Sequence, residues 1–446
     1  MAERSLGLGI AGLVGLAAPN LVAEGHEEPP PVHMHDDGLF IHLPGGISLS
    51  PHAHLRGTFG SSTASGDDIG ALGLGGHDPD EENFYLQGLE VGASLQLEKY
   101  VEGFFTTNIF LDGDDDFDYE VEEAFLKLTD LPMGLEFRGG RFLNRLGFHN
   151  ATHLHSWDFV DQNLPHARFL GGEGLVTEGG EMSLYVPGLP TGITAVFSAS
   201  YGSAPSHDDH GHGHGGEDEH HDDEDEHHDE DEDEHHDDED EHHDEDEGEH
   251  HDEEDEHHDD EDEHGHEDEH GGELEGEFLT ANMLLEYAHT DFHVYRFTAG
   301  AVVPEEDGIG ETYLAGLQYQ WRENGYEAGG RALRFSTEAF LHDGEEDDHF
   351  GITNALVYTA IERLDLGLRV DYVEGDAHDD EGFAALALEG ERLRYSGAIT
   401  YRPFEAYSGN THIRLQYNYD ELDGGAEEEH SVWLQFGFDW GSGEVR

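Results

Sequence analysis

The chain has 446 residues, 60 of them Gly and none Cys, so disulfides and thiolate metal sites are excluded and any metal must be held by nitrogen and oxygen donors. No apolar run approaches the ~20 residues of a membrane-spanning helix, so a membrane role requires strands. The formal charge of −86, from 105 acidic against 19 basic residues, argues against nucleic acid and for cation attraction or a high-salt habitat.

The N-terminus has the layout of a secretory signal peptide over residues 1–23. Arg4 precedes an apolar stretch from Leu6 to Ala18, and Leu21-Val22-Ala23 ends in a small residue before Glu24. Residues 24–46 read as a periplasmic N-terminal segment. Within it His33-x-His35, after Pro29-Pro30-Pro31, is either a small metal site or part of a polar leader.

From residue 47 onward the pattern is period-two alternation in segments of about ten residues, the mark of strands. In Thr411–Asp420, Ile413, Leu415, Tyr417 and Tyr419 share one face, and His412, Arg414, Gln416, Asn418 and Asp420 the other. Segments near 47–59, 83–98, 101–111, 119–130, 134–144, 175–187, 191–203 and 278–290 qualify. So do 291–303, 311–322, 331–342, 349–361, 364–374, 394–403, 410–420 and 430–440. The fold class is therefore all-β, a transmembrane antiparallel barrel of about 16 strands, with 14 or 18 left open. Its first half is 47–203 and its second 278–446, divided by 204–277. Short connections alternate with long ones at 60–82, 145–174, 204–277 and 375–393, which puts the long ones outside the cell. Glu323–Gly330 is rather long for a periplasmic turn. A soluble sandwich also alternates, but charged polar faces and aromatics toward strand ends suit a wet lumen and interface girdles. His52 and His54 share one face of the first strand, as a ligand pair or as lining of a wet channel.

The third outward connection by parity, 145–174, together with its flanks carries the most specific sequence, GRFLNRLGFHNATHLHSWDFVDQNLPHARFLGG from Gly140 to Gly172. His149, His153, His155, Asp158, Asp161 and His166 lie close together there, at spacings suited to metal ligation. In sixteen-stranded porins this loop commonly folds into the barrel and narrows it. The alternative is structural, with Trp157, Phe159 and Phe169 as anchors and the polar side chains making ordinary hydrogen bonds.

Between His207 and His270 stand 39 acidic residues, 19 His and 6 Gly, with no Lys or Arg. Setting those acids aside leaves 66 against 19 basic residues, or −47, so the remainder is strongly acidic too. The tract repeats units such as HHDDEDE, has nothing apolar to bury, and is expected to be a disordered extracellular loop. Its histidines come in adjacent pairs: His220 with His221, His227 with His228, His235 with His236, His242 with His243, His250 with His251, and His257 with His258. Flanked by acids, these pairs make the tract a polydentate metal ligand. Imidazole with carboxylate suits Zn2+ first, and Ni2+ or Cu2+ after it, as transported or buffered ions. Acid alone would serve a solubilising segment; the His would be superfluous there.

GRFLNRLGFHN (Gly140–Asn150), HSWDFVDQNLPHARFLGGEGL (His155–Leu175) and TYRPFEAYSGNTHIRLQYNYD (Thr400–Asp420) resemble a group of bacterial outer-membrane proteins described as zinc-regulated outer-membrane receptors. That group is itself distantly similar to phosphate-selective porins. The resemblance implies a barrel, zinc-linked expression and often a His-rich loop. Energised receptors need a plug domain and about 22 strands. The segment before the first strand has no room for a plug, so a porin is the expectation.

Three functions remain open. The first is an outer-membrane, porin-like channel that binds divalent transition metal, zinc foremost, and admits it to the periplasm. The second is an anion porin of the phosphate type, for which Arg296, Arg334, Arg369, Arg394, Arg402 and Arg414 on lumen faces would form a basic ladder. The third is a surface metal-sequestering protein with the barrel as anchor. No catalytic constellation is visible, so no enzyme is expected. Expected partners are outer-membrane lipid, lipopolysaccharide, metal ions and, by analogy with other sixteen-stranded porins, two further copies in a homotrimer.

Overall fold

A computed structural model describes residues 32–205 and 276–441, apart from 375–390 and short stretches at 36–37, 65–68, 70–71, 80–81, 112–116, 306–308, 328, 345–347, 407–408, 423–424 and 426. The signal peptide lies outside the described residues, as do the side chains of His33 and His35. The His/acid tract lies outside them too. Its expected ligands His220, His221, His227, His228, His235, His236, His242, His243, His250, His251, His257 and His258 therefore have no place in the structural account.

The strands run in chain order. They are β1 Val32–His35, β2 Gly38–Leu43, β3 Ile47–Ser62, β4 Asn83–Leu97, β5 Val101–Leu111, β6 Phe117–Leu128, β7 Leu135–Leu143, β8 Val176–Tyr185 and β9 Ile193–Ser203. They continue as β10 Glu277–Thr290, β11 His293–Pro304, β12 Glu311–Arg322, β13 Ala332–Asp343, β14 Asp348–Ile361, β15 Leu364–Val373, β16 Arg392–Ala406, β17 Gly409–Leu422 and β18 Glu427–Trp440. Each pairs antiparallel with the next from β3 to β18, and β18 pairs back onto β3 from Ser431↔Ser62 to Trp440↔Ala53. The result is a closed sixteen-strand barrel with no free edge, as an even-stranded membrane barrel requires.

The short strands β1 and β2 were not expected; the sequence suggested a periplasmic segment there, with His33-x-His35 as a small metal site or part of a polar leader. They form a hairpin whose second strand pairs with the start of β3, from Ile41↔Leu49 to Leu43↔Ile47. The alternation in Gly38–Leu43 is too short to separate from coil without that partner. The long connection at 323–331 keeps its place among the short turns, because Glu323 and Arg331 close it with backbone hydrogen bonding and an ion pair.

The faces follow the alternation. On β17, Ile413, Leu415 and Tyr417 are exposed outward while Arg414, Gln416, Asn418 and Asp420 are buried inward. Leu366, Leu368, Val370, Ile399, Val432, Phe436 and Phe438 continue the outer apolar band. Tyr287, Tyr295 and Tyr319 stack near one rim, and Tyr395, Tyr417, Tyr419 and His430 near the other. Exposed apolar side chains between two aromatic girdles match a hydrocarbon layer flanked by its interfaces.

Loop 3, residues 144–175, turns into the barrel as expected. It carries one short helix, α1 (Leu164–Leu170), capped by Asn163 and opened by Pro165 near its first turn. Leu146, Leu164, Ala167, Phe169, Leu170 and Leu175 pack on Phe278, Val302, Leu314, Phe340 and Val373 from the strand walls and on Leu74 from loop 1, residues 63–82. Gly147 enters the loop at φ +75°, and a Cβ there would collide with Glu338 Oε1, so only glycine permits the approach. Glu338 in turn accepts from the Phe148 backbone N–H at 2.7 Å.

Candidate metal centre in the lumen

Loop 3 crosses the lumen between two walls of different chemistry. On the side of β13–β17 it is held by arginines. Asp161 receives Arg369 at 2.7 Å and Arg394 at 2.8 Å, and it also accepts from Gln416 and Asn418. Asp158 pairs with Arg334. Arg414 donates to the carbonyls of Phe159 and Trp157 at 2.8 and 2.6 Å. The expected Asp158-x-x-Asp161 ligand pair therefore does not converge: each carboxylate is taken by guanidinium. The strand arginines were legible on the lumen face, but not their reach across it.

The opposite wall, from β3 to β6, supplies carboxylates to the loop's histidines. Glu90 of β4 accepts from the His155 backbone at 3.2 Å and from its ring Nδ1. Glu122 and Glu123 of β6 flank His153, with Nδ1 3.3 Å from Glu122 Oε2 and Nε2 2.8 Å from Glu123 Oε2. The His155 ring stacks on His54 with centroids 3.7 Å apart and lies 5.8 Å from the His153 ring. His52 follows at 5.6 Å from His54. Gly92 makes room for it: a Cβ there would stand 2.5 Å from His52 Nε2 and would overlap the Phe105 carbonyl oxygen. His54 is anchored through Nδ1 to Asp439 at 3.1 Å.

Loop 1 adds a residue that the sequence did not single out. His77 Nε2 lies 2.8 Å from Glu173 of loop 3, 3.2 Å from Glu120 and 3.8 Å from Glu122. A small cavity lined by His77, Glu120, Glu122, His153 and Glu173 opens at this point. A lone His in a Gly-rich loop gave no signal, because its partners come from β6 and from the far end of loop 3.

His149 and His166 form a separate pair. Their rings are 4.8 Å apart, and His166 packs edge-on against Phe340 while its Nδ1 donates to Asn163. Burial, with His149 beside it, holds His166 well below the usual imidazole range. Neither residue joins the donor sets described above.

The electrostatics of the His77–His155 side are distinctive. Glu90, Glu120, Glu122, Glu123 and Glu173 crowd the imidazoles; the cations beside them are Arg141, itself 3.5 Å from Glu178, and Arg56, which donates to the His155 carbonyl and to Asp439, each at 2.6 Å. Burial works against charge on His77 and His153, yet Glu173 and Glu120 around the first, and Glu122 and Glu123 around the second, hold both well above the ordinary imidazole range. Burial, reinforced by Glu120, pushes the Glu173 carboxyl up to about 7. His54 Nε2 is buried without a hydrogen bond, while Glu120 Oε1 faces His77 Nε2 at 3.2 Å and Glu122 Oε2 faces His153 Nδ1 at 3.3 Å. Imidazole nitrogens and carboxylate oxygens gathered in this way are donor types that could hold a divalent cation.

No family model matches the chain. An uncharacterized protein of Aquifex aeolicus is 31% identical over 119 residues, 26% of this chain, and the chain spans about a quarter (24%) of that relative's length. Among solved structures, Pseudomonas putida OprB is similar with 11% identity and a TM-score of 0.47, over 89% of this chain and 94% of OprB. The outer membrane channel DcaP of Acinetobacter baumannii has 9% identity and a TM-score of 0.47 over 89% and 99%. Salmonella typhi OmpF, in complex with daunomycin, has 10% identity and a TM-score of 0.46 over 90% and 100%. The closed sixteen-strand wall, its apolar outer band and its aromatic rims make this protein a transmembrane β-barrel of the outer-membrane type.

Proposed function

We propose that the barrel admits divalent transition-metal ions, zinc foremost, by passing them along the His/Glu array in its lumen. The observation that carries this reading is the convergence of His77, His153, His155 and His54 on Glu90, Glu120, Glu122 and Glu173 across loops 1 and 3 and strands β3, β4 and β6. Glu120 stands three residues from the outer end of β6, Glu90 near the middle of β4, and His52 five residues from the inner end of β3. The donors thus step from the outer rim toward the periplasmic half. The His/acid tract, by its imidazole and carboxylate content, serves as collector, raising the local ion concentration. Affinity at each step is moderate where ligands are exchanged one at a time, which lets an ion leave as well as bind.

The anion reading loses its support. Arg296, Arg334, Arg369, Arg394 and Arg402 are each ion-paired, with Glu286, Asp158, Asp161, Asp161 and Asp365 among their partners, and Arg414 is spent on carbonyls. These six arginines form no open basic ladder.

The test is zinc flux into proteoliposomes holding the full chain and a zinc dye. His155→Ala is expected to lower zinc flux at least tenfold while potassium chloride conductance in planar bilayers stays within twofold. Equal loss of both, or no loss of zinc flux, would sink the proposal.

A further inference from the structure

The array resolves into three donor triads. The outer is His77, Glu120 and Glu122; the middle is Glu90, Glu122 and His153; the inner is His54, Glu90 and His155. Within each, the ligand atoms lie within 4.8 Å of one another. Zinc bonds of ~2.0–2.2 Å to nitrogen and oxygen draw such donors together by small side-chain movements.

The triads are not independent. Glu122 belongs to the outer and the middle, and Glu90 to the middle and the inner. Once an ion holds Glu122 outside and another holds Glu90 inside, the middle keeps only His153 and its neighbour Glu123. Charge points the same way. Five carboxylates crowd this side of the lumen, namely Glu90, Glu120, Glu122, Glu123 and Glu173. A third divalent ion, seated between two others, would face repulsion from both sides. Glu120 Oε1 faces His77 in the outer triad, Glu122 Oε2 faces His153 in the middle one, and His54 Nε2 is buried without a hydrogen bond in the inner one, so ligand capacity is built at each.

We infer that the lumen holds two divalent transition-metal ions at saturation, one in the outer and one in the inner triad, and that the middle triad is a hand-over position occupied only when a neighbour is vacant. The inference rests on the reading that the array takes such ions. It adds an occupancy rule: an ion moves inward by exchanging Glu122 for Glu90 around His153, and the next ion follows when Glu122 is released.

Anomalous scattering at the zinc edge, from crystals of the full chain equilibrated with graded zinc, tests this independently of zinc bound elsewhere. Two luminal peaks are expected at saturation, beside His77 and beside His155, with none between them. In His77→Ala the outer peak should vanish and density should appear at the middle triad, because Glu122 is freed. Three full peaks together, a single peak, or an empty middle position in His77→Ala would each overturn the inference while leaving zinc flux intact. Absence of every luminal peak together with absence of zinc flux would instead remove the functional reading beneath it.

Discussion

Two histidines of loop 3 show how placement rather than residue type sets the chemistry. His153 sits between two glutamates, whereas His166 sits against Phe340 with an amide oxygen for company. An imidazole held below its ordinary pKa binds fewer protons folded than unfolded, so its contribution is present above ~6.5 and is lost as pH falls below that value. Lowering pH from neutral to ~5.5 should therefore loosen α1. Hydrogen exchange of residues 163–170, corrected for the intrinsic rate, should quicken several-fold, and His166→Gln should flatten that dependence. The readout must be local, because His153 and His77 have the opposite sign and gain on acidification. Unchanged exchange in the native protein would contradict the account.

Loop 3 as an element is latched from one side by ion pairs and offered to the other as ligands. Asp161 is its main latch, joined by Arg369, Arg394, Gln416 and Asn418. Removing one member of a buried, fully bonded charge network typically costs about 3–5 kcal/mol. Asp161→Ala leaves Arg369 with Asp371 and Arg394 with Asp420, so the strand wall stays balanced and the cost falls on the loop. The variant is expected to keep its heat-modifiable gel migration, the sign of an intact barrel, and to show a larger single-channel conductance. Unaltered conductance would mean that the loop is held by its apolar contacts with Phe278, Val302 and Phe340 alone.

At the scale of the whole molecule, loop 3 meets mainly arginines on the β13–β17 side and mainly glutamates on the β3–β6 side, although Arg56–Asp439 and Lys127–Glu102 pairs stand on the latter side too. The flanks of the tract are well tied, since β9 and β10 pair from Glu277↔Ser203 to Tyr287↔Ile193. Deleting His207–His270 and joining its flanks is thus expected to leave the barrel folded, because the hairpin beneath it is already closed. Zinc uptake at low external zinc should fall several-fold, its maximal rate should persist, and its sensitivity to ionic strength should weaken. A lost maximal rate would place the essential site in the tract, at pairs such as His220 and His221 or His257 and His258, instead of the lumen.

Much of the barrel was legible in the sequence by itself. Alternation is a local property of each strand, and it located all sixteen barrel strands to within a few residues, with the outer face of β17 read correctly. The loop 3 motif also singled out His153 and His155, which the structure sets beside Glu122, Glu123 and Glu90, because a cluster of imidazoles in one connection is visible without a fold. The rest awaited tertiary structure. Glu90, Glu120 and Glu122 look like ordinary lumen-face polar residues within their strands, His77 like a stray loop histidine, and Asp158 and Asp161 like ligands. Which carboxylate meets an imidazole and which meets a guanidinium is decided by barrel closure, which brings β3 beside β18 and carries loop 3 across to both walls. Such contacts join residues up to hundreds of positions apart, and periodicity, being a property of neighbours along the chain, holds no information about them.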